Sequence, residues 1–343
     1  DAGGRVVGGY FNSDDGQWHG FLYDGTVHDL GTGNARAIAD DGWIAGDDGT
    51  AYLIDPLGTR TELGRLGGAG SVAYAVTNGG WVVGQSDTAS GVGHAFLVRG
   101  PGAIMEDLGT LGDYSIAHGI GPNGMIVGES LVTSFDPHAE PFVFAATDPA
   151  PVMEEMPVGY PAGSARAIND LGHSTGWVAN HVDNWGDAFV FDGAVTTKLG
   201  DIPGKAHSIG TAINNLDQVV GYAFGEWVDS GCCGLVWSNS IKRAYFHDGV
   251  TAVNLNDELP ESSGWLLTLA SGINDAGAIV GTGIRDGTGR AFLMVAHGSD
   301  QEGDGVADSL DNCPSVYNPG QENVDTDRHG DVCDNCILVD NDD

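Results

Sequence analysis

The sequence has 343 residues and a net charge of −35, from 48 acidic and 13 basic residues. Nucleic acids and anionic membrane surfaces require basic patches, so neither is expected as a partner. No apolar run is long enough to cross a bilayer, so no membrane span is expected. Glycine contributes 56 residues, well above its usual share of ~7%, which indicates many tight turns and short strands.

Four short sequence elements recur in a fixed order along the chain. The first resembles Ala-Ile-Asn, the second Val-Val-Gly, the third is a short aromatic strand and the fourth resembles Asp-Leu-Gly. The last glycine of the second element occurs seven times, at Gly8, Gly46, Gly84, Gly128, Gly176, Gly221 and Gly281. The aromatic residue of the third element also occurs seven times, at Phe21, Tyr52, Phe96, Phe142, Phe189, Tyr245 and Phe292.

The spacing of these repeats, between 38 and 60 residues, is that of propeller blades. Solenoid repeats are usually shorter, and seven equivalent units would overfill a two-sheet sandwich. No segment has a sustained helical period. We therefore predict an all-β fold, a seven-bladed β-propeller of four-stranded blades.

The repeat count leaves two strand positions without a sequence. A first element is missing before Asp1, and a fourth element is missing after Met294. Two sheet edges would then lack a partner strand, and an open edge accepts a strand from elsewhere. Another part of the same polypeptide, or a neighbouring chain by β-augmentation, could supply it.

Residues 1–297 resemble the bacterial extracellular HAF-repeat family. The resemblance depends on His94-Ala95-Phe96-Leu97 followed by the Asp-Leu-Gly-Thr-Leu-Gly of 107–112, and on the stretch from Leu255 to Met294, which is similar to the end of such arrays. It implies an exported protein of propeller shape. It supplies no activity and no catalytic residues.

The composition changes abruptly at residue 298. Residues 299–343 contain 13 acidic residues and one basic residue, and almost no apolar residues that could form a core. The acids fall into two alternating sets, and such spacing lets several oxygen atoms converge on one calcium ion. The two sets are Asp300, Glu302, Asp304, Asp308 and Asp311, and Asn323, Asp325, Asp327, Asp331 and Asp334. We predict that 298–343 form an irregular acidic tail stabilised by Ca²⁺.

Residues 300–336 resemble a thrombospondin type 3 repeat. The matching motifs are Asp-Asn-Cys-Pro at 311–314, Asn-Pro at 318–319 and Asp-Val-Cys-Asp at 331–334. The resemblance implies backbone calcium ligands at Val306 and His329, and a Cys313–Cys333 disulfide that closes a loop of about 20 residues and contributes about 3 kcal/mol. Arg328 departs from the pattern and places a cation beside the second set.

Two further motifs were interpreted as structural. Cys232 and Cys233 are adjacent and are predicted to staple a loop, either as a vicinal disulfide or with one of them paired to Cys336. A redox catalyst would more often show Cys-x-x-Cys. A Gly-x-Gly-x-x-Gly at 119–124 coincides with a repeat turn and precedes no helix, so it does not indicate a dinucleotide site.

These observations favour a secreted, calcium-binding structural or assembly protein without catalytic activity. Its expected partners are copies of itself, in a head-to-tail filament, or surface glycans. The alternatives are a carbohydrate- or surface-binding adhesion module, in which tryptophans such as Trp18 stack on sugars, and a secreted hydrolase or lyase. Trp43 and Trp81 stand at repeat positions and are expected to pack between blades.

Overall fold

The computed structural model describes residues 1–132, 139–179, 186–200, 202, 205–229, 235–238, 242–260, 262–295, 312–313, 315–318, 322–324 and 330–334. The chain divides into two compact units, Asp1–Leu293 and Met294–Asp343. The first unit is a seven-bladed β-propeller, which confirms the predicted fold. The described residues contain strands and no helix.

The blades follow one another along the chain, and each is one antiparallel sheet. Blade 1 contains β1 (Val6–Asn12), β2 (Gln17–Tyr23) and β3 (Val27–Thr32), and blade 2 contains β4 (Asn34–Ile38), β5 (Ile44–Asp47), β6 (Ala51–Ile54) and β7 (Arg60–Gly64). Blade 3 contains β8 (Gly67–Val76), β9 (Trp81–Thr88), β10 (Gly93–Arg99) and β11 (Glu106–Asp107). Blade 4 contains β12 (Ser115–Ile120), β13 (Met125–Leu131), β14 (Ala139–Ala145) and β15 (Met153–Glu155).

Blade 5 contains β16 (Ala162–Ile168), β17 (Ser174–Ala179), β18 (Asp187–Phe191) and β19 (Thr196–Lys198). Blade 6 contains β20 (His207–Ile213), β21 (Val219–Phe224), β24 (Arg243–His247) and β25 (Ala252–Asn254). Blade 7 contains β26 (Trp265–Ile273), β27 (Ile279–Arg285) and β28 (Thr288–Met294). A separate hairpin, β22 (Glu226–Asp229) and β23 (Leu235–Ser238), is inserted between β21 and β24.

The first strands of neighbouring blades, from β4 through β8, β12, β16 and β20 to β26, contact one another and line the central channel. The second strands are apolar on both faces because a blade packs on each side of them. Val82, Val83 and Ile126 are fully buried in these strands. The core therefore lies between adjacent blades, and Trp43 and Trp81 pack against it as expected.

The repeated glycine of the second strand makes room for the backbone of the first strand. A Cβ atom added to Gly128 would lie 1.9 Å from the Ile116 carbonyl oxygen, and one added to Gly84 would lie 1.9 Å from the Val72 oxygen. No side chain fits at those distances. The repeat thus keeps glycine where two strands approach each other most closely.

Among the described residues, blades 1 and 7 have three strands each, and the other five have four. Blade 1 begins with β1, which is a second strand. Blade 7 ends with β28, which is a third strand. The first-strand position of blade 1 and the fourth-strand position of blade 7 are the two that the repeat count left without a sequence.

Candidate functional site

Each of the six described first strands carries a β-bulge at the same place. The bulge residue lies between two small residues, and the bulge side chains of blades 2, 3 and 4 contact one another. The six bulge residues are Arg36, Tyr74, His118, Arg166, Thr211 and Ser271. Arg36 lies over the Tyr74 ring, with its guanidinium carbon 5.5 Å from the ring centroid, and the Tyr74 and His118 rings meet edge to face at 5.4 Å.

Glu129 joins the bulge residues of blades 4 and 5. Its Oε2 lies 3.4 Å from a guanidinium nitrogen of Arg166 and 3.6 Å from Nε2 of His118. The Tyr114 hydroxyl donates a hydrogen bond of 3.2 Å to Oε1. The Glu129 side chain is only 11% exposed, so this carboxylate is stabilised by its protein partners and not by water.

The protonation states of this cluster follow from burial and pairing. Burial acts to raise the pKa of Glu129, but the neighbouring His118 and Arg166 outweigh it and lower the pKa to about 2. Burial lowers the pKa of His118, so Arg166 is the cation that pairs with Glu129 at neutral pH. Burial raises the pKa of Tyr114 to about 12. The arginine of blade 2 pairs with Asp47 of its own blade. In the cluster around Glu129, His118 Nε2 and Arg166 Nε are buried and make no hydrogen bond among the described residues.

In the part of the chain that the structure describes, the first-strand position of blade 1, beside β1, is open. Val6 and Val7 in β1 are partly exposed, whereas the equivalent Val82, Val83 and Val219 of complete blades are fully buried. The third-strand residue Phe21 is likewise partly exposed.

Two cavities open near β1. One, of about 550 Å³, borders Gly8, Gly9 and Trp18 on blade 1, together with Arg36 and Ser271. The other, of about 390 Å³, is a mouth of the central channel: it borders Val6 and Val7 on blade 1 and the ends of the first strands of blades 2, 5, 6 and 7.

The turn that follows the missing strand is nevertheless present. The Asp1 nitrogen donates to the Arg5 carbonyl at 3.2 Å, and the Gly4 nitrogen donates to the Asp1 carbonyl at 3.1 Å. In blade 7 the nitrogens of Asn274 and Gly277 donate to Ala278 and Asn274 in the same way. Gly4 and Gly277 also share a left-handed φ, 78° and 79°. Asp1 therefore occupies the position of the repeat asparagine.

The predicted calcium ligands lie mostly outside the described residues. Those outside are Asp300, Glu302, Asp304, Val306, Asp308, Asp311, Asp325, Asp327 and His329. Asn323, Asp331 and Asp334 are described, and Asp331 Oδ1 accepts a hydrogen bond of 2.8 Å from the Val324 nitrogen. Among the residues that the structure describes, no three His, Cys, Asp or Glu side chains are grouped as a metal site.

The tail contains a disulfide between Cys313 and Cys333, which are 20 positions apart in sequence and have Cα atoms 5.7 Å apart. This is the pair that the thrombospondin-type resemblance implies. The nitrogen of Gly330 donates to the Asn312 carbonyl at 2.9 Å beside it. Cys232, Cys233 and Cys336 lie outside the described residues. Within the described part of the chain, no helix is long and apolar enough to cross a membrane.

The repeat pattern did not single out the bulge residues. The pattern marks positions that stay the same, whereas the bulge position varies from arginine to serine. A signal was present in the first element, because one variable residue stands between two small ones in each copy. Glu129 lies close to His118, 11 positions before it, and to Arg166, 37 positions after it. Only the arrangement of the blades shows that these residues meet.

No protein-family model and no curated protein sequence matches the chain. Among solved structures it is similar to the β-propeller domain of the Trilobed protease from Pyrococcus furiosus, described as having an open velcro topology, with 11% identity, a TM-score of 0.50 and coverage of 84% of this chain and 91% of that one. At this identity the likeness shows the propeller fold alone.

Two TolB structures are also similar. A putative TolB from Agrobacterium tumefaciens has 10% identity, a TM-score of 0.49 and coverage of 85% of this chain and 98% of that one. TolB from Acinetobacter baumannii has 10% identity, a TM-score of 0.47 and coverage of 72% of this chain and 61% of that one.

Proposed function

We propose that this protein is a secreted, calcium-stabilised structural module that assembles with another polypeptide and has no catalytic activity of its own. The observation that carries the proposal is the Cys313–Cys333 disulfide in the acidic tail, the pair that the thrombospondin-type resemblance implies.

Partly exposed apolar residues on the first and last blades support assembly. Among the described residues β28 has no fourth strand beside it, and Leu293 on β28 is 43% exposed. The equivalent Leu97 of blade 3 is fully buried. A chain with one open edge in its first blade and another in its last can make head-to-tail contacts, which extend into a filament unless the rotation closes a ring.

The tail supports the extracellular and calcium-binding parts of the proposal. The Cys313–Cys333 disulfide is typical of oxidising compartments. The alternating acids of 300–311 and 323–334 suit calcium, which takes 6–8 oxygen ligands. Rigid, calcium-loaded tails would hold neighbouring propellers at a fixed distance.

Electron microscopy of the purified protein tests the assembly. We expect filaments or other regular assemblies in the presence of calcium, and shorter or dissociated particles after chelation. Isolated propellers under both conditions would contradict the proposal. Size-exclusion chromatography with light scattering, at several protein concentrations, provides the mass of the assembling unit.

A carbohydrate-binding role is favoured by one separate observation. Phe11 and Trp18 stand side by side on β1 and β2, with ring centroids 6.1 Å apart, and are 57% and 54% exposed. Trp18 also borders the larger cavity. A glycan array tests this role: binding lost in Trp18→Ala but kept in Leu57→Ala, a change at an exposed residue on blade 2, would support it.

A further inference from the structure

The polar side chains of the central channel in blades 2 to 5 form a group with more hydrogen-bond donors than acceptors. We propose that this group is a binding site for a small organic carboxylate, held by the guanidinium groups of Arg36 and Arg166. The channel site comprises Arg36, Tyr74, His118, Glu129 and Arg166. It goes beyond the assembly proposed above, and no residue of blade 1 contributes to it.

Arg166 is a cation whose hydrogen bonds are not satisfied among the described residues. Its Nε atom is buried and has no acceptor there. Glu129 Oε2 lies 3.4 Å from a terminal nitrogen, which makes an ion pair but leaves the buried Nε–H group without a partner. The side chain is 37% exposed, so the guanidinium can reorient toward a bound molecule. Because an unsatisfied buried donor costs free energy, Arg166 favours a ligand with oxygen acceptors.

His118 is a second polar side chain of the channel site without a hydrogen bond. It is 9% exposed, and its buried Nε2 atom has no partner among the described residues. Glu129 Oε2 lies 3.6 Å away, beyond hydrogen-bonding distance. The Tyr74 ring packs edge to face against the imidazole at 5.4 Å. Buried polar groups in proteins are nearly always hydrogen-bonded, so a side chain of this kind indicates a position at which a ligand is recognised.

Blades 2 and 3 supply two further donors. Arg36 uses Nε to bind Asp47, and its terminal nitrogens make no hydrogen bond within the described part of the chain. The side chain is 37% exposed and borders the 390 Å³ mouth of the channel, through which a small molecule can enter. The Tyr74 hydroxyl also makes no hydrogen bond to a described residue. Burial raises the pKa of Tyr74, so its hydroxyl stays protonated and can donate.

The bulge residues of blades 6 and 7 show how a structural side chain behaves at the same position. The Thr211 hydroxyl lies 3.1 Å from the Val220 carbonyl and 2.6 Å from the Ala270 carbonyl, and can donate to either. The Ser271 hydroxyl lies 3.4 Å from the Val280 carbonyl. The backbone therefore satisfies these two side chains, whereas the donors of the channel site have no such acceptors.

The charges and the shape of the donors favour a carboxylate. A planar guanidinium group donates two parallel hydrogen bonds to the two oxygen atoms of one carboxylate. The two arginines of the site are already balanced by Asp47 and Glu129, and the whole chain carries a charge of −35. Both facts oppose the binding of a multiply charged anion such as sulfate. A small ligand with a single negative charge fits the site best.

Calorimetric titration of the complete chain with sodium acetate tests the inference. Sodium chloride at the same ionic strength serves as the reference. We expect saturable binding with a dissociation constant of about 1 mM, as for other ligands of a few atoms. Acetamide, a neutral molecule of the same shape, should not bind, and sulfate should bind more weakly than acetate.

Three variants locate the site. Tyr74→Phe removes a hydroxyl that no described residue binds, so acetate should bind about fivefold more weakly while the free energy of unfolding stays unchanged. Arg166→Gln combined with Glu129→Gln removes both charges of one pair and should weaken binding at least about tenfold. Arg285→Gln, at an arginine of blade 7 whose side chain is 51% exposed, is the matched control and should bind acetate normally.

Several results would overturn the inference. They are the absence of saturable acetate binding, equal binding of acetamide, and unchanged affinity in both Tyr74→Phe and the double variant. Sulfate that binds more tightly than acetate would refute the assignment to carboxylates. An equal loss of affinity in Arg285→Gln would show that surface charge holds the acetate, and would refute the location in the channel.

Discussion

The side-chain amide of Asn274 donates a hydrogen bond to the backbone carbonyl of Asp1, 3.2 Å away, across the junction of the last and first blades. The same bond links Asn169 to the Asn214 carbonyl at 2.9 Å and Asn214 to the Asn274 carbonyl at 3.0 Å. A ladder of asparagine side chains therefore runs through blades 5, 6 and 7 and reaches blade 1. The ring is linked at this turn although blade 1 lacks its first strand.

We predict that Asn274→Asp loosens this junction. The carboxylate keeps the acceptor that binds the Ala278 nitrogen at 2.9 Å, but it cannot donate to the Asp1 carbonyl. The free energy of unfolding should fall by about 1–2 kcal/mol, and amide exchange at Arg5 should accelerate. Asn123→Asp is the matched control, since among the described residues its amide nitrogen makes no hydrogen bond while Oδ1 accepts one from Met125. Equal effects of the two variants would contradict the ladder.

Gly128→Ala should destabilise the propeller strongly. Its Cβ would lie 1.9 Å from the Ile116 carbonyl oxygen and 2.6 Å from the Phe142 ring, so the first strand of blade 4 must shift. We expect a loss of about 1–3 kcal/mol, as for other overpacked cores, measured by urea unfolding. Gly289→Ala, at a position with no atom within 4 Å of the added Cβ, should change stability little. A stable Gly128→Ala variant would show that the strand spacing is adjustable.

Acid should destabilise the propeller in two stages. The pKa of His118 is lowered from 6.5 by burial, so the unfolded chain binds the proton more readily and stability declines as the pH falls below about 6.5. The pKa of Glu129 is about 2 in the folded protein and 4.5 in the unfolded chain. At ~1.4 kcal/mol per pKa unit, this carboxylate contributes about 3 kcal/mol to the free energy of unfolding. The contribution is present above pH 4.5 and is lost between pH 4.5 and pH 2.

Glu129→Gln tests this dependence by removing the second stage. Unfolding free energies measured between pH 7 and pH 3 should depend less on pH in this variant, while the value at pH 7 should be lower because Arg166 loses its partner. Glu106→Gln, which removes a surface partner of Arg99, provides the control and should retain the full acid dependence. Identical pH profiles for the two variants would exclude Glu129 as its source.

Calcium removal should affect the tail and not the propeller. Only 13 of the 45 residues of 299–343 are apolar, too few to offset chain entropy, and the carboxylates of the tail repel one another unless a cation lies between them. With EDTA, limited proteolysis should cut residues 299–343 faster and leave residues 1–293 intact. Asp304→Asn together with Asp327→Asn should have the same effect in calcium, whereas Asp342→Asn, outside both predicted sets, should not. Equal cleavage with and without EDTA would refute the calcium site.

The sequence by itself determined the repeated parts of this protein. Three local features recur in every blade: a Val-Val-Gly strand buried on both faces, a glycine at the close approach of two strands, and an aromatic residue between blades. Their spacing predicted seven sheets. The same count left two strand positions without a sequence. The fold and the number of blades were therefore readable before any coordinates, whereas the inserted hairpin β22–β23 was not.

Only the tertiary structure decided which side chains meet. Bulges turn Arg36, His118 and Arg166 toward one channel, and Glu129 pairs with a residue of the next blade. Ring closure brings Asn274 to Asp1 across 273 positions. These contacts depend on how the blades are arranged around an axis, and repeat spacing contains no information on that arrangement.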